Sequence, residues 1–318
     1  MNKIRREQLE KVLPSTWFDN KRQRELLMLD IQPFAEYLEV SRRYQSNRLF
    51  RAYLSWLASR FDVFNLTRKQ FWTLVKELFR IVHGANLPKE KFPIDTPPHN
   101  AIQDSPLASE AREFLDALLE GSAEKALSMS LEWKHTHNLD QVYLHVFQPI
   151  LYETGYLWQT GRISIATEHY ITASTQYAMS QYYPDLFATP KHGGLVLAAA
   201  PGEAPHEIGI RMVADVLEYK GYRTHYLGGN LPESEIVDAV IAHSPDLIAL
   251  GITLPIELTA LEDVIQRIKG DERTRDIPIL VGGQPFNYDP SLKEKLDADA
   301  YGENLSDAVQ KAGELIDD

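Results

Sequence analysis

Over residues 193–318 short apolar runs alternate strictly with amphipathic stretches, and that alternation leaves few folds open. Gly194-Leu195-Val196-Leu197-Ala198-Ala199 reads as a buried strand. Thr224-His225-Tyr226-Leu227, Leu247-Ile248-Ala249-Leu250-Gly251-Ile252 and Pro278-Ile279-Leu280-Val281 follow, with Ala300-Tyr301 as a short last strand. Helices are expected over 206–220, 232–242, 256–269 and 304–316. Parallel strands need long crossovers, most simply helices, so this order predicts a flavodoxin-like doubly wound parallel sheet at 191–318.

The rest of the chain reads as helical. Residues 108–119, a segment opened by Ser122, residues 139–158 and residues 164–183 carry helical periodicity, and Pro184 closes the run. Four helices on short turns predict a four-helix bundle at 107–190. Residues 86–106 hold five prolines, which forbid a continuous helix and mark a linker. Aromatic-rich stretches over 1–85, with Thr67 as an expected N-cap, predict a separate helical domain. The fold class is therefore α/β plus all-α.

There is no cysteine, which excludes disulfides, thiolate metal sites, cysteine nucleophiles and thioether-linked chromophores. No apolar run is long enough for a membrane span, and the N-terminus lacks a signal-peptide pattern, so a cytoplasmic protein without a membrane partner is expected. The net charge of −12 is uneven: residues 1–80 carry 16 Lys/Arg against 9 Asp/Glu. That basic part leaves DNA possible, although no DNA-binding motif supports it.

The segment with most chemical content is Ala198-Ala199-Ala200-Pro201-Gly202-Glu203-Ala204-Pro205-His206-Glu207-Ile208-Gly209. A small apolar strand ends in a turn that delivers a histidine just before a helix. Gly209 is expected to let that helix pack close. In an α/β fold such a turn lies beyond the carboxyl ends of the strands, where ligands bind. Neither a dinucleotide nor a P-loop fingerprint is present.

Pro205-His206-Glu207-Ile208-Gly209 contains H-x-x-G. With Leu227-Gly228-Gly229-Asn230-Leu231-Pro232, Leu250-Gly251-Ile252-Thr253-Leu254-Pro255 and Val281-Gly282-Gly283 in that order, residues 107–318 resemble the cobalamin-binding module, a four-helix cap on a Rossmann-like domain. The resemblance implies cobalamin as cofactor and His206 as its lower axial cobalt ligand. It also implies contacts along Glu203, Pro205, Glu207, Ile208 and Gly209, at Gly228, at Thr253 and Leu254, and at Gly282 and Gly283. The family keeps an acid two residues before the histidine. Ala204 stands there, and Glu203 lies one residue further out.

Upstream, Trp158 is followed after nine residues by Glu168-His169. This spacing resembles the cap of the B12-dependent light sensors related to the CarH repressors. It implies that Trp158, Glu168 and His169 cover the upper cobalamin face around an adenosyl group. The histidine that directly follows the tryptophan in well-known members is Gln159 here, with His145 or His169 as possible substitutes. No MerR-type winged helix is recognisable in residues 1–85. The resemblance implies a non-enzymatic light-sensing signalling protein that binds adenosylcobalamin. Photolysis of the upper cobalt–carbon bond would move the cap, and the N-terminal domain would respond through a protein partner or self-association. The alternatives are a corrinoid methyl carrier of a methyltransferase system, and a sensor of heme or a noncovalent bilin on the same scaffold.

Overall fold

The computed structural model describes residues 4–85, 101–203 and 205–317. The chain divides into two compact units, Met1–His99 with Tyr156–Ser164, and Asn100–Gly155 with Ile165–Asp318.

The first unit holds α1 (Arg6–Val12), α2 (Lys21–Ile31), α3 (Phe34–Arg43), α4 (Asn47–Val63) and α5 (Arg68–His83). Thr67 caps α5 as expected: its hydroxyl accepts from the Gln70 N–H, and the Gln70 side chain accepts from the Thr67 N–H. Gly84, at φ 65°, ends the same helix in the left-handed region. Phe34, Phe50, Tyr53, Phe61 and Phe71 fill the centre, with Phe34 and Phe50 edge-to-face at 5.3 Å. Of the proline linker, residues 86–100 lie outside the described residues.

In the second unit the bundle consists of α6 (Ala108–Leu119), α7 (Ala123–Trp133), the run of α8 (Leu139–Val142), a π-helical turn (Tyr143–Phe147) and α9 (Gln148–Gln159), and α10 (Ile165–Ser180). Only the Gln148–Gly155 part of α9 belongs to this unit. Pro184 does not simply close the run. It sits in the first turn of another short helix, α11 (Tyr183–Ala188), where a missing N–H costs nothing.

The sheet contains β1 (Leu195–Pro201), β2 (Arg223–Leu231), β3 (Leu247–Gly251), β4 (Ile279–Gly282) and β5 (Ala300–Gly302), all parallel, in the order β2-β1-β3-β4-β5. This is the flavodoxin-like order predicted, with the topological switch point between β1 and β3. The crossovers are α12 (Ile208–Tyr219), α13 (Glu233–His243) and α14 (Leu258–Gly270). Two short helices, α15 (Gln284–Tyr288) and α16 (Leu292–Lys295), precede β5, and α17 (Leu305–Asp317) ends the chain. Val196, Ala198, Ala200, Leu247, Ala249 and Leu280 form the sheet's share of a core closed by Ile210, Ala214 and Leu217 of α12 and by Ala308 and Ala312 of α17.

Three details differ from the sequence expectations. Strand β2 continues through Gly228 and Gly229 to Leu231, because register shifts after Ala198 and after Ala199 absorb the extra residues. Helix α12 starts at Ile208, which leaves His206 in the preceding loop. The close approach assigned to Gly209 belongs elsewhere: a Cβ at Gly209 would meet nothing within 4 Å. It is Gly251, at the end of β3, that admits α12, since a Cβ there would lie 2.9 Å from Ile210 Cβ. Gly251 is in register with Gly282, and Gly282 with Gly302, so glycines line one row across three strand ends.

Bundle and sheet are joined inside the second unit by a buried polar contact. The Tyr143 hydroxyl donates to Asp215 of α12 at 3.0 Å. Burial pushes the Asp215 carboxyl up to about 6, against the pull of Arg211.

Candidate functional site

The loop after β1 and the loop after β3 leave the sheet on either side of the switch point. The first carries Gly202, Glu203, Pro205 and His206. The second carries Thr253, Leu254 and a single 3₁₀ turn, Pro255–Glu257. Between these loops the structure sets His206 Nδ1 4.0 Å from Glu257 Oε1. The His206 side chain is 44% exposed, whereas Glu257 is 7% exposed. Glu257 Oε2 accepts the backbone N–H groups of Thr253 and Leu254, at 2.8 and 2.7 Å.

Glu257 was not singled out by the sequence. It lies fifty-one positions after the histidine, and only the β1–β3 pairing brings the two together. Glu203 is exposed, and Ala204 lies outside the described residues. Thr253 and Leu254 are partly buried, and their recorded hydrogen bonds are made by backbone N–H groups.

Glu207 faces the end of β2. Its Oε2 accepts the Gly229 N–H at 2.8 Å, and a Cβ on Gly228, whose φ is 84°, would lie 3.2 Å from that oxygen. The Tyr226 hydroxyl lies buried near Glu207 without a well-formed hydrogen bond. Its pKa is raised, mainly by burial and next by the Glu207 charge. Ile208 is partly buried, and Pro205 and Gly209 are exposed.

Gly282 ends β4 and Gly283 follows it. Gly283 has φ 108°, and a Cβ there would lie 1.8 Å from the Ile252 carbonyl oxygen. Chain meets chain here, so only glycine fits. At Gly282 the space is tight but not closed, since a Cβ would lie 3.2 Å from the Gly302 carbonyl oxygen.

The three cap residues fall into two compact units. Glu168 and His169 belong to the second. His169 Nδ1 lies 2.5 Å from Glu168 Oε2, the Thr172 hydroxyl donates to Glu168 Oε1 at 3.0 Å, and the His169 side chain is 73% exposed. Trp158 belongs to the first, in the segment Tyr156–Ser164. Its ring lies 6.4 Å from that of Trp56, and the Arg60 guanidinium carbon is 5.3 Å from its centroid. Gln159 donates from Nε2 to the Ser59 hydroxyl at 2.7 Å.

His145 lies in the π-helical turn and lines a cavity of about 360 Å³ with Val216 of α12 and Lys220 just after it. That cavity is at the end of α12 away from His206. Among the described residues no three His, Asp or Glu side chains converge as a protein-only metal site. No helix among them is long and apolar enough to cross a membrane.

The donor set suits a metal already held by a macrocycle. One exposed imidazole stands in front of a switch-point crevice, backed by a buried carboxylate. A glycine at the start of α12 leaves open space where a side chain would otherwise project.

Residues 194–310 match a family described as B12 binding domain, and residues 110–183 match a second family of the same description. Dimethylamine corrinoid protein 1 of Methanosarcina acetivorans is 28% identical over 168 residues, covering 52% of this chain and 77% of that protein. The HTH-type transcriptional repressor CarH of Myxococcus xanthus is 29% identical over 153 residues, 48% of this chain and 50% of the repressor. In fold, the chain is similar to the monomethylamine corrinoid protein of Methanosarcina barkeri, with a TM-score of 0.58 at 18% identity, over 65% of this chain and 98% of that one.

Proposed function

Since the chain carries a B12-binding α/β domain together with its helical cap, we propose that it is a corrinoid-dependent regulatory protein in which the state of the upper cobalamin ligand is relayed to the N-terminal helices. His206 serves as the lower cobalt ligand. Glu168 and His169 offer polar contacts on the cap. Gly209 keeps a side chain out of the open space at the start of α12, and Gly228, Gly282 and Gly283 lie along the proposed path of the nucleotide tail. Bound adenosylcobalamin supplies a light-labile cobalt–carbon bond, and bound methylcobalamin supplies a transferable methyl group.

The observation that carries the regulatory reading is the seat of Trp158. Its ring lies tilted against Trp56 and under the Arg60 guanidinium, and its carbonyl accepts from Arg60 Nη1. A tryptophan of the family-matched helical segment held by helices outside the B12-binding segments suits signalling. A carrier that shuttles methyl groups needs a lid free to swing aside.

A second reading, methyl carriage, is supported by the similarity to the dimethylamine corrinoid proteins. One experiment separates the two. The purified protein is offered adenosylcobalamin, methylcobalamin, hemin and biliverdin in the dark, and spectra and oligomeric state are recorded before and after green light. The regulatory reading expects cobalamin uptake, a light-dependent spectral change, and an accompanying change in self-association. Light-independent loss of the methyl group to a corrinoid methyltransferase, with no change in assembly, would overturn it in favour of carriage. Uptake of hemin or biliverdin alone would overturn both.

A further inference from the structure

We propose that Glu257 is the positioning residue for His206, supplying from the β3 loop the carboxylate that the β1 loop does not present. This rests on the reading of His206 as the lower cobalt ligand.

A ligating histidine needs its second nitrogen held by an acceptor, which fixes the tautomer and aims the lone pair. Glu257 has the attributes of such an acceptor. Its carboxylate is buried and already fixed, because Oε2 holds the N–H groups of Thr253 and Leu254. Oε1 is thereby turned toward His206 Nδ1. Gly202, at φ 103°, brings the β1 loop over this side chain, and a Cβ on Gly202 would lie 3.5 Å from Glu257 Cγ. The remaining gap to a hydrogen bond is about 1 Å, within the swing of an imidazole that is 44% exposed. Glu203 lacks this support: it is exposed on the loop itself.

The geometry also explains why the acid can come from so far along the chain. In the order β2-β1-β3-β4-β5 the loops after β1 and β3 diverge from neighbouring strands, so a residue on one faces a residue on the other. Glu257 reaches this place because Pro255 opens a 3₁₀ turn that folds the glutamate back over the loop backbone.

Glu257→Gln is the informative variant. Its amide oxygen can still accept from Thr253 and Leu254, while its NH₂ turns a donor toward His206 in place of an acceptor. The full-length protein, grown with ¹⁵N-histidine, is loaded with unlabelled cob(II)alamin. Nitrogen superhyperfine splitting in the electron paramagnetic resonance spectrum reports whether a protein histidine holds the cobalt. In the wild type the label is expected to change the splitting. In Glu257→Gln the labelled pattern is expected to weaken, with cobalamin affinity falling ~10–100-fold. Glu203→Gln is expected to keep the labelled nitrogen splitting of the wild type.

In a His206→Ala background Glu257→Gln should cost no further affinity, since its effect passes through His206. A purely structural effect would persist there and would overturn the proposal. So would a wild-type splitting that Glu257→Gln leaves intact. A wild-type splitting insensitive to the label is a different failure, because it removes His206 as the ligand and the functional reading with it.

Discussion

Arg60 caps the helix that carries Trp158. Its Nη1 donates to the carbonyl oxygens of Trp158 and Gln159, at 3.4 and 3.1 Å, and its Nε meets Asp30 Oδ2 at 2.9 Å. The last carbonyls of a helix have no partner within it, and a cation there is favoured by the helix dipole. The Arg60 and Asp30 side chains are only 8% and 12% exposed. Burial raises the Asp30 carboxyl above its ordinary range, and Arg60 opposes that rise.

Breaking one side of this buried pair strands the other. Asp30→Ala is expected to destabilise the first unit by about 3 kcal/mol or more, read as an earlier step in urea denaturation followed by circular dichroism. A loss below about 1 kcal/mol would show that Arg60 does not depend on Asp30. In the loaded protein, Arg60→Met is expected to keep the light-dependent spectrum and abolish the change in assembly.

Gly209 offers a cleaner test of the ligand face. With nothing within 4 Å of its would-be Cβ, Gly209→Ala should raise the melting temperature of the free protein slightly, by up to about 1 kcal/mol of helix stability. The same methyl group intrudes on the proposed corrin surface and should weaken cobalamin binding roughly 10-fold, on the scale of overpacking by one carbon. Equal affinity in the variant and the wild type would remove Gly209 from the site.

Two neighbouring glycines should behave in the opposite way. Gly251→Ala forces a Cβ to 2.9 Å from Ile210 and is expected to cost about 1–3 kcal/mol. Gly283→Ala meets the Ile252 carbonyl at 1.8 Å and needs a strained φ besides, so little folded protein is expected. A Gly283→Ala protein as stable as the wild type would disprove the close approach.

Asp215 gives a pH signature. Its folded pKa, about 6, lies above the ordinary carboxylate value of 3.8. The folded state therefore holds its proton to higher pH than the unfolded state, and stability from this group is present at acid pH and lost as pH rises through about 6. Relative to Asp215→Asn, which cannot titrate, the wild type should gain about 1 kcal/mol on going from pH 7.5 to pH 5. A difference that stays constant with pH would mean that Asp215 titrates normally.

The sequence by itself determined the order of strands and crossover helices in the α/β domain and its B12-binding class. Alternation of apolar strands with helices is a local signal, and it sufficed for the doubly wound sheet because parallel pairing leaves little choice of connection. The Thr67 cap and the four bundle helices were legible for the same reason. H-x-x-G and the glycine pairs fall at the carboxyl ends of the strands, and Gly283 is needed there because chain meets chain.

The tertiary structure decided which groups meet. Glu257 faces His206 through the pairing of β1 with β3, a contact between residues far apart in sequence whose loops the switch point sets side by side. Gly251, not Gly209, receives α12, because the facing of one element by another depends on its rotation and not on its composition. Trp158 looked like one residue of a single motif with Glu168 and His169. The fold divides that motif, placing Trp158 with Arg60 and Trp56 in the first unit. Spacing along a chain fixes how far apart two residues can be, and only packing fixes what each of them touches.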